Sequence, residues 1–111
     1  MANILEVAEG IQYQTTDEQL AYQIDVSNWA TPASVTQVKA YDELDDSDVT
    51  TTVFPTNDPS VVDADSDDTD DSILLSLLKS LTENHNYRIE ILWVDTGSNV
   101  WETLLPVKCI E

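Results

Sequence analysis

Apolar and polar positions alternate with a period of two over much of the chain. Leu20, Tyr22, Ile24 and Val26 alternate with Ala21, Gln23, Asp25 and Ser27, which predicts a half-buried strand running toward Trp29. Thr31-Pro32-Ala33-Ser34 follows as a turn. Val35, Val38, Ala40 and Tyr41 predict a second strand with a less regular register. Val49 to Phe54 is rich in β-branched residues and stops at Pro55, so it reads as a third. Thr56-Asn57-Asp58-Pro59 is turn chemistry. The clearest element is Tyr87 to Val94, with Tyr87, Ile89, Ile91 and Trp93 on one face. Asp95 to Asn99 then reads as a hairpin loop, and Val100 to Leu105 as the returning strand. Val107 to Ile110 continue it past Pro106, a residue that marks an edge or a bulge. Ile4 to Val7 is a candidate first strand.

The segment Ser72 to Leu81 fits two patterns. Leu74, Leu77, Leu78 and Leu81 match helical spacing, whereas Ile73, Leu75 and Leu77 match a strand. Leucine favours helix by intrinsic propensity. The neighbouring segments all alternate at period two, and that context favours the strand. About seven short strands with turns between them predict an all-β fold, a single antiparallel β-sandwich. Leu81, six residues before Tyr87, sharpens the reading. In immunoglobulin-like and fibronectin III-like sandwiches a tyrosine opens a late strand, its hydroxyl bonded back to the upstream backbone. Leu81 to Tyr87 resembles that tyrosine corner. At 111 residues the chain is one domain by size, with residues 1–16 readable as an extended N-terminal arm.

Charge changes the picture next. Asp and Glu number 22 against 4 Lys and Arg, a net charge of -18. Nucleic acids and anionic membranes repel such a surface, so neither is an expected partner. Between Asp42 and Asp71 lie 12 of the acids and no basic residue. Like charges a few ångströms apart repel by about 1 kcal/mol per pair even in water. This run is therefore solvated or neutralised by cations. A saline environment would account for the same composition, because salt screens the repulsion.

Asp63, Asp65 and Asp67 stand where the first, third and fifth ligands of an EF-hand loop would, a candidate site for weakly bound Ca²⁺ or Mg²⁺. The rest of that motif is missing. The sixth position has Asp68 in place of Gly, and the twelfth has Leu74 in place of Glu. The plainer reading is a solvated loop between two strands, with no cofactor.

Catalysis finds little to work with. His85 is the one histidine and falls in the polar corner Thr82 to Asn86. Cys109, the one cysteine, excludes an intrachain disulfide and reads as a small buried hydrophobe. The two glycines, Gly10 and Gly97, form no phosphate-cradling loop. The expectation is a protein that is not an enzyme. Among the tryptophans, Trp93 shares the core face of its strand and Trp29 covers the core edge. Trp101, just past the hairpin, is the candidate contact residue at an interface. The start of the chain has neither a basic region nor an apolar run of signal-peptide length, which predicts synthesis in a host cytoplasm without a signal peptide.

The stretch Asp17 to Trp29 is similar to the opening of small immunoglobulin-like structural proteins of tailed bacteriophages. Those open with an acidic turn and a Tyr-x-Ile/Leu-Asp strand ending near a Trp, here Tyr22-Gln23-Ile24-Asp25 and Trp29. Tyr87 to Val94 is similar to their late strand, and Asp48 to Val53 also resembles phage virion sequence. The resemblance implies a virion component, a capsid decoration or a head or tail accessory protein. Its partners would be major capsid or tail proteins, or further copies of itself in a homo-oligomer. It carries over no catalytic residues. Two other functions fit the acidic loop: a carbohydrate-binding or cation-dependent adhesion module, and an acidic mimic of nucleic acid.

Overall fold

The computed structural model of the protein describes residues 6–7 and 11–111. These form two packed sheets and a single turn of helix. In chain order the elements are β1 (Glu6–Val7), β2 (Gln12–Gln14), β3 (Gln23–Asp25), β4 (Pro32–Asp42), β5 (Ser47–Asp48), α1 (Thr50–Val53), β6 (Ser60–Val62), β7 (Ser72–Leu74), β8 (Asn86–Asp95) and β9 (Val100–Cys109). The larger sheet has the order β1-β9-β8-β4-β5, with β2 also on β9, and the smaller has β3-β7-β6. The all-β class and the two-layer packing agree with the sequence pattern. The described residues give nine strands, two of them only two residues long.

The alternation explains the core. Tyr87, Ile89, Ile91 and Trp93 point inward from β8, and Leu105, Val107 and Cys109 from β9. Ile24, Val26, Ile73 and Leu75 face them from the smaller sheet, and all four are buried. Each such side chain removed from water contributes about 1.5–3 kcal/mol. Val53, Phe54, Leu78 and Leu81 complete the cluster. Tyr87 closes one end as the sequence suggests: its ring is buried, and its hydroxyl accepts a 2.7 Å hydrogen bond from Thr82 N–H.

Several elements differ from the sequence reading, each for a physical reason. Val49 to Phe54 is not a strand. Asp48 Oδ1 accepts hydrogen bonds from the backbone N–H and hydroxyl of Thr50, 2.9 and 2.6 Å, and turns the chain into α1. That turn delivers Val53 and Phe54 to the core. Ser72 to Leu81 is a strand only at Ser72–Leu74, with one further bridge from Leu78 to Leu20. Burial explains the break: Ile73 and Leu75 keep the period of two, Leu77 is exposed, and Leu78 and Leu81 return at a spacing of three. The turn expected at Thr31 to Ser34 is largely absorbed into β4, which starts at Pro32. The irregular register of that strand comes from bulges between Pro32 and Ser34 and between Val35 and Gln37.

The N-terminal segment pairs parallel to β9, which an antiparallel sandwich does not anticipate. Glu6 lies opposite Thr103 and Val7 opposite Leu104, then Gln12 to Gln14 lie opposite Val107 to Cys109. Pro106 falls between these two stretches, and no described residue pairs with it on that side. Of the candidate strand Ile4 to Val7, Ile4 and Leu5 lie outside the described residues. Gln14 then ties the two sheets together. It is fully buried, and its Nε2 donates to the backbone oxygens of Leu78 (2.7 Å) and Glu18 (3.0 Å), while its Oε1 accepts from the Tyr22 hydroxyl at 2.9 Å.

Candidate functional site

The loop from Asp63 to Asp71 joins β6 to β7 at the end of the smaller sheet. The hairpin pairing fixes its two ends, since Val62 lies opposite Ser72. Within it, carboxylate oxygens do for the backbone what a strand would otherwise do. Asp63 accepts from Asp67 N–H at 3.2 Å and Asp68 N–H at 2.7 Å, Asp67 from Thr69 N–H at 2.9 Å, and Asp71 from Ala64 N–H at 3.1 Å and the Ser72 hydroxyl at 2.7 Å. Two loop residues sit in the left-handed region, Ser66 at φ 61 and Asp68 at φ 69. Asp68 occupies the position where the sequence motif calls for glycine. The chain adopts the glycine-like turn without the glycine, at a cost of about 1 kcal/mol.

This folding brings the three sequence-predicted ligands together and adds a fourth. Oxygen atoms of Asp63, Asp65, Asp67 and Asp71 all lie within 4.8 Å of one another. Oxygens on opposite sides of a bound Ca²⁺ stand about 4.6–5.2 Å apart, so one such ion spans the group. Mg²⁺, with its shorter bonds, needs a spacing of about 4 Å. A donor set of hard oxygens suits these ions rather than zinc. Asp71 continues the odd-numbered spacing of Asp63, Asp65 and Asp67, and that periodicity was its signal in the sequence.

The crowding is unequal in its effect. Partial desolvation, then the carboxylates of Asp63, Asp71 and Asp67, push the Asp65 carboxyl up to about 6. Asp71 moves the other way, held low chiefly by the Ser72 hydroxyl. Desolvation would raise the Asp63 carboxyl, but the N–H groups of Asp68 and Asp67 help to hold it low.

Trp101 lies on the larger sheet, in β9. It is half-buried and stacked on Trp93, ring centroids 5.7 Å apart and 14° from parallel. Its indole N–H donates to Asp95 Oδ2 at 2.9 Å, so it anchors the β8–β9 hairpin. Asp95 also accepts from the N–H groups of Gly97 and Asn99 and from the Asn99 amide, at 2.8–3.4 Å. The Trp101 indole first, and then the Asn99 backbone, draw its carboxyl down to about 2.

Three further residues bear on chemistry. His85 Nδ1 lies 2.6 Å from Asp42 Oδ2, a contact between the corner and the end of β4 that the sequence did not reveal. Burial pushes the Cys109 thiol up, the reverse of what an activated nucleophile needs. Arg88 is held by Glu90 at 2.6 Å, Asp46 at 2.8 Å and Glu43 at 3.5 Å, over the ring of Tyr41. These bonds, Asp46 first, raise its pKa and fix it as a structural cation. Comparison with family models, curated proteins and solved structures gives no match.

Proposed function

We propose that this chain is a non-enzymatic structural protein of a tailed-bacteriophage virion, a capsid decoration or a head or tail accessory component that acts through protein–protein contacts. The observation that carries the reading is the frame. Its strand orders, β1-β9-β8-β4-β5 over β3-β7-β6, with an N-terminal strand parallel to the last one, support an immunoglobulin-like reading of the two-sheet sandwich. The Tyr87 hydroxyl on Thr82 N–H supports the same assignment. The virion placement rests on the resemblance of Asp17 to Trp29 and Tyr87 to Val94. A buried thiol with a raised pKa supports a scaffold over a catalyst. Mass spectrometry of purified virions tests it: the chain should be present at a stoichiometry set by the particle's symmetry, and absence from virions would overturn the reading.

The carboxylate cluster favours a second reading, a cation-dependent adhesion module. Calorimetric titration with Ca²⁺ should then show one site, lost in Asp65→Asn and Asp67→Asn together. Unchanged melting of the native chain in Ca²⁺ would remove this reading and leave the first in place.

A further inference from the structure

We propose that the free edge of β4 is a docking strand for an extended, lysine- or arginine-bearing segment of a partner protein. The proposal deepens the contact reading above and rests on it. Strand β4 pairs with β8 along its whole length, but on its other side, among the described residues, only Tyr41 and Asp42 have a strand partner, β5. The direction of the remaining groups can be read from their bonds. Ala40 N–H donates to Thr50 Oγ1 and Ala40 C=O accepts from Val49 N–H, both at 2.9 Å, and Val38 C=O accepts from Asn57 Nδ2 at 2.9 Å. The even-numbered residues here turn their backbone away from β8, so Val38 N–H points to that same open side. Side chains of Thr50 and Asn57 thus stand where a neighbouring strand would bond.

This edge opens on a cleft of about 750 Å³, a size that suits a ligand. One wall is the strand itself from Val35 to Lys39, and the other includes Asp48, Thr51, Asp58 and Pro59. Asp48 and Asp58 are exposed on the far wall, and Asp58 has no hydrogen bond or ion pair to its carboxylate among the described residues. Main-chain edge groups select an extended polypeptide. Lys39 on the strand wall balances Asp48, whose carboxylate also holds Thr50, so the unpaired Asp58 and the net charge of -18 select basic side chains on it. The same charge opposes a second copy, which would bring its own Asp48 and Asp58 to the edge. The two bulges bend β4 out of a flat edge, so only a short segment fits.

The test uses the isotope-labelled full chain titrated with the capped hexapeptide Lys-Val-Lys-Val-Lys-Val. Lys-Pro-Lys-Pro-Lys-Pro, equal in charge but lacking every second N–H and held by its prolines away from the extended ladder conformation, is the control. Amide shifts should concentrate at Thr36, Val38 and Asn57, with the prolyl peptide bound about tenfold more weakly. Asp58→Asn should weaken the first peptide several-fold, and Asn57→Ala should tighten it by freeing the Val38 carbonyl. Equal affinity for both peptides, or shifts centred elsewhere, overturns the proposal. So does concentration-dependent broadening at Thr36 and Val38 without peptide, which would give the edge to a second copy. Failure here leaves the virion assignment standing, and absence from virions leaves the peptide result standing.

Discussion

The β8–β9 hairpin and the β6–β7 loop are both built on aspartate, and they treat its charge in opposite ways. In the hairpin a single carboxylate, Asp95, receives donors from Gly97, Asn99 and Trp101, and its pKa falls to about 2. In the loop four carboxylates converge, and the donors are too few for them. Asp63 and Asp71 take most of the N–H and O–H groups, while Asp65 accepts one long bond, from Asp67 N–H at 3.3 Å, and its carboxyl is pushed up to about 6. One residue type thus makes a finished clamp in one turn and an uncompensated charge in the other. Desolvation raises both carboxyls, and the donors per charge set how far each is drawn back down.

The comparison can be broken most forcefully at the hairpin. Trp101→Ala removes both the stack on Trp93 and a donor to Asp95. It should cost about 3 kcal/mol in urea unfolding, the low end for a tryptophan because the ring is half-buried. A loss below about 1 kcal/mol would mean the hairpin is not anchored there. The next test is one of sign. At neutral pH, low salt and without divalent cations, Asp95→Asn should lower Tm and Asp65→Asn should raise it. Shifts of the same sign would show that the two turns do not differ.

Titration sharpens the contrast further. Asp65 has a folded pKa of about 6, above its unfolded value of about 3.9, so the stability it contributes is complete below about 3.9 and lost as pH rises through about 6. The advantage of Asp65→Asn over the native chain should therefore shrink as pH falls from 7 to 4. Asp95 is depressed, so its contribution is present above about 3.9 and lost as pH falls through about 2. The deficit of Asp95→Asn should close only in that lower window. Denaturant midpoints across the pH range check both.

The smallest effects concern the backbone. Asp68→Gly relieves a left-handed residue and one charge, and should stabilise by up to about 1 kcal/mol. Gly97→Ala should change stability by less than about 0.5 kcal/mol. Gly97 has no positive φ, and an added Cβ would meet Asn99 and Asp95 at 3.4 Å. The left-handed residue of that hairpin is Ser98, at φ 67.

The long strands were legible because alternation writes itself on any strand with one buried face, and β8 and β9 have that over ten residues each. The same rule misread Val49 to Phe54, where β-branched residues signal a half-buried surface rather than a backbone shape. The Asp48-x-Thr50 spacing held the turn signal that the hydrophobic pattern concealed. Three of the four clustered aspartates were visible from spacing, since alternate loop residues turn to one side. The donors that separate Asp65 from Asp71, the Ser72 hydroxyl and the Ala64 N–H, meet Asp71 only once the loop has folded. Gln14 was hidden for a similar reason: a buried glutamine looks polar until its partners on the other sheet are known.

Side-chain carboxyl NMR titration of the labelled protein, in buffer freed of divalent cations, tests the opposition of the two turns most directly. The account predicts midpoints of about 2 for Asp95 and about 6 for Asp65. A shared midpoint near the ordinary value of about 3.9 would contradict it.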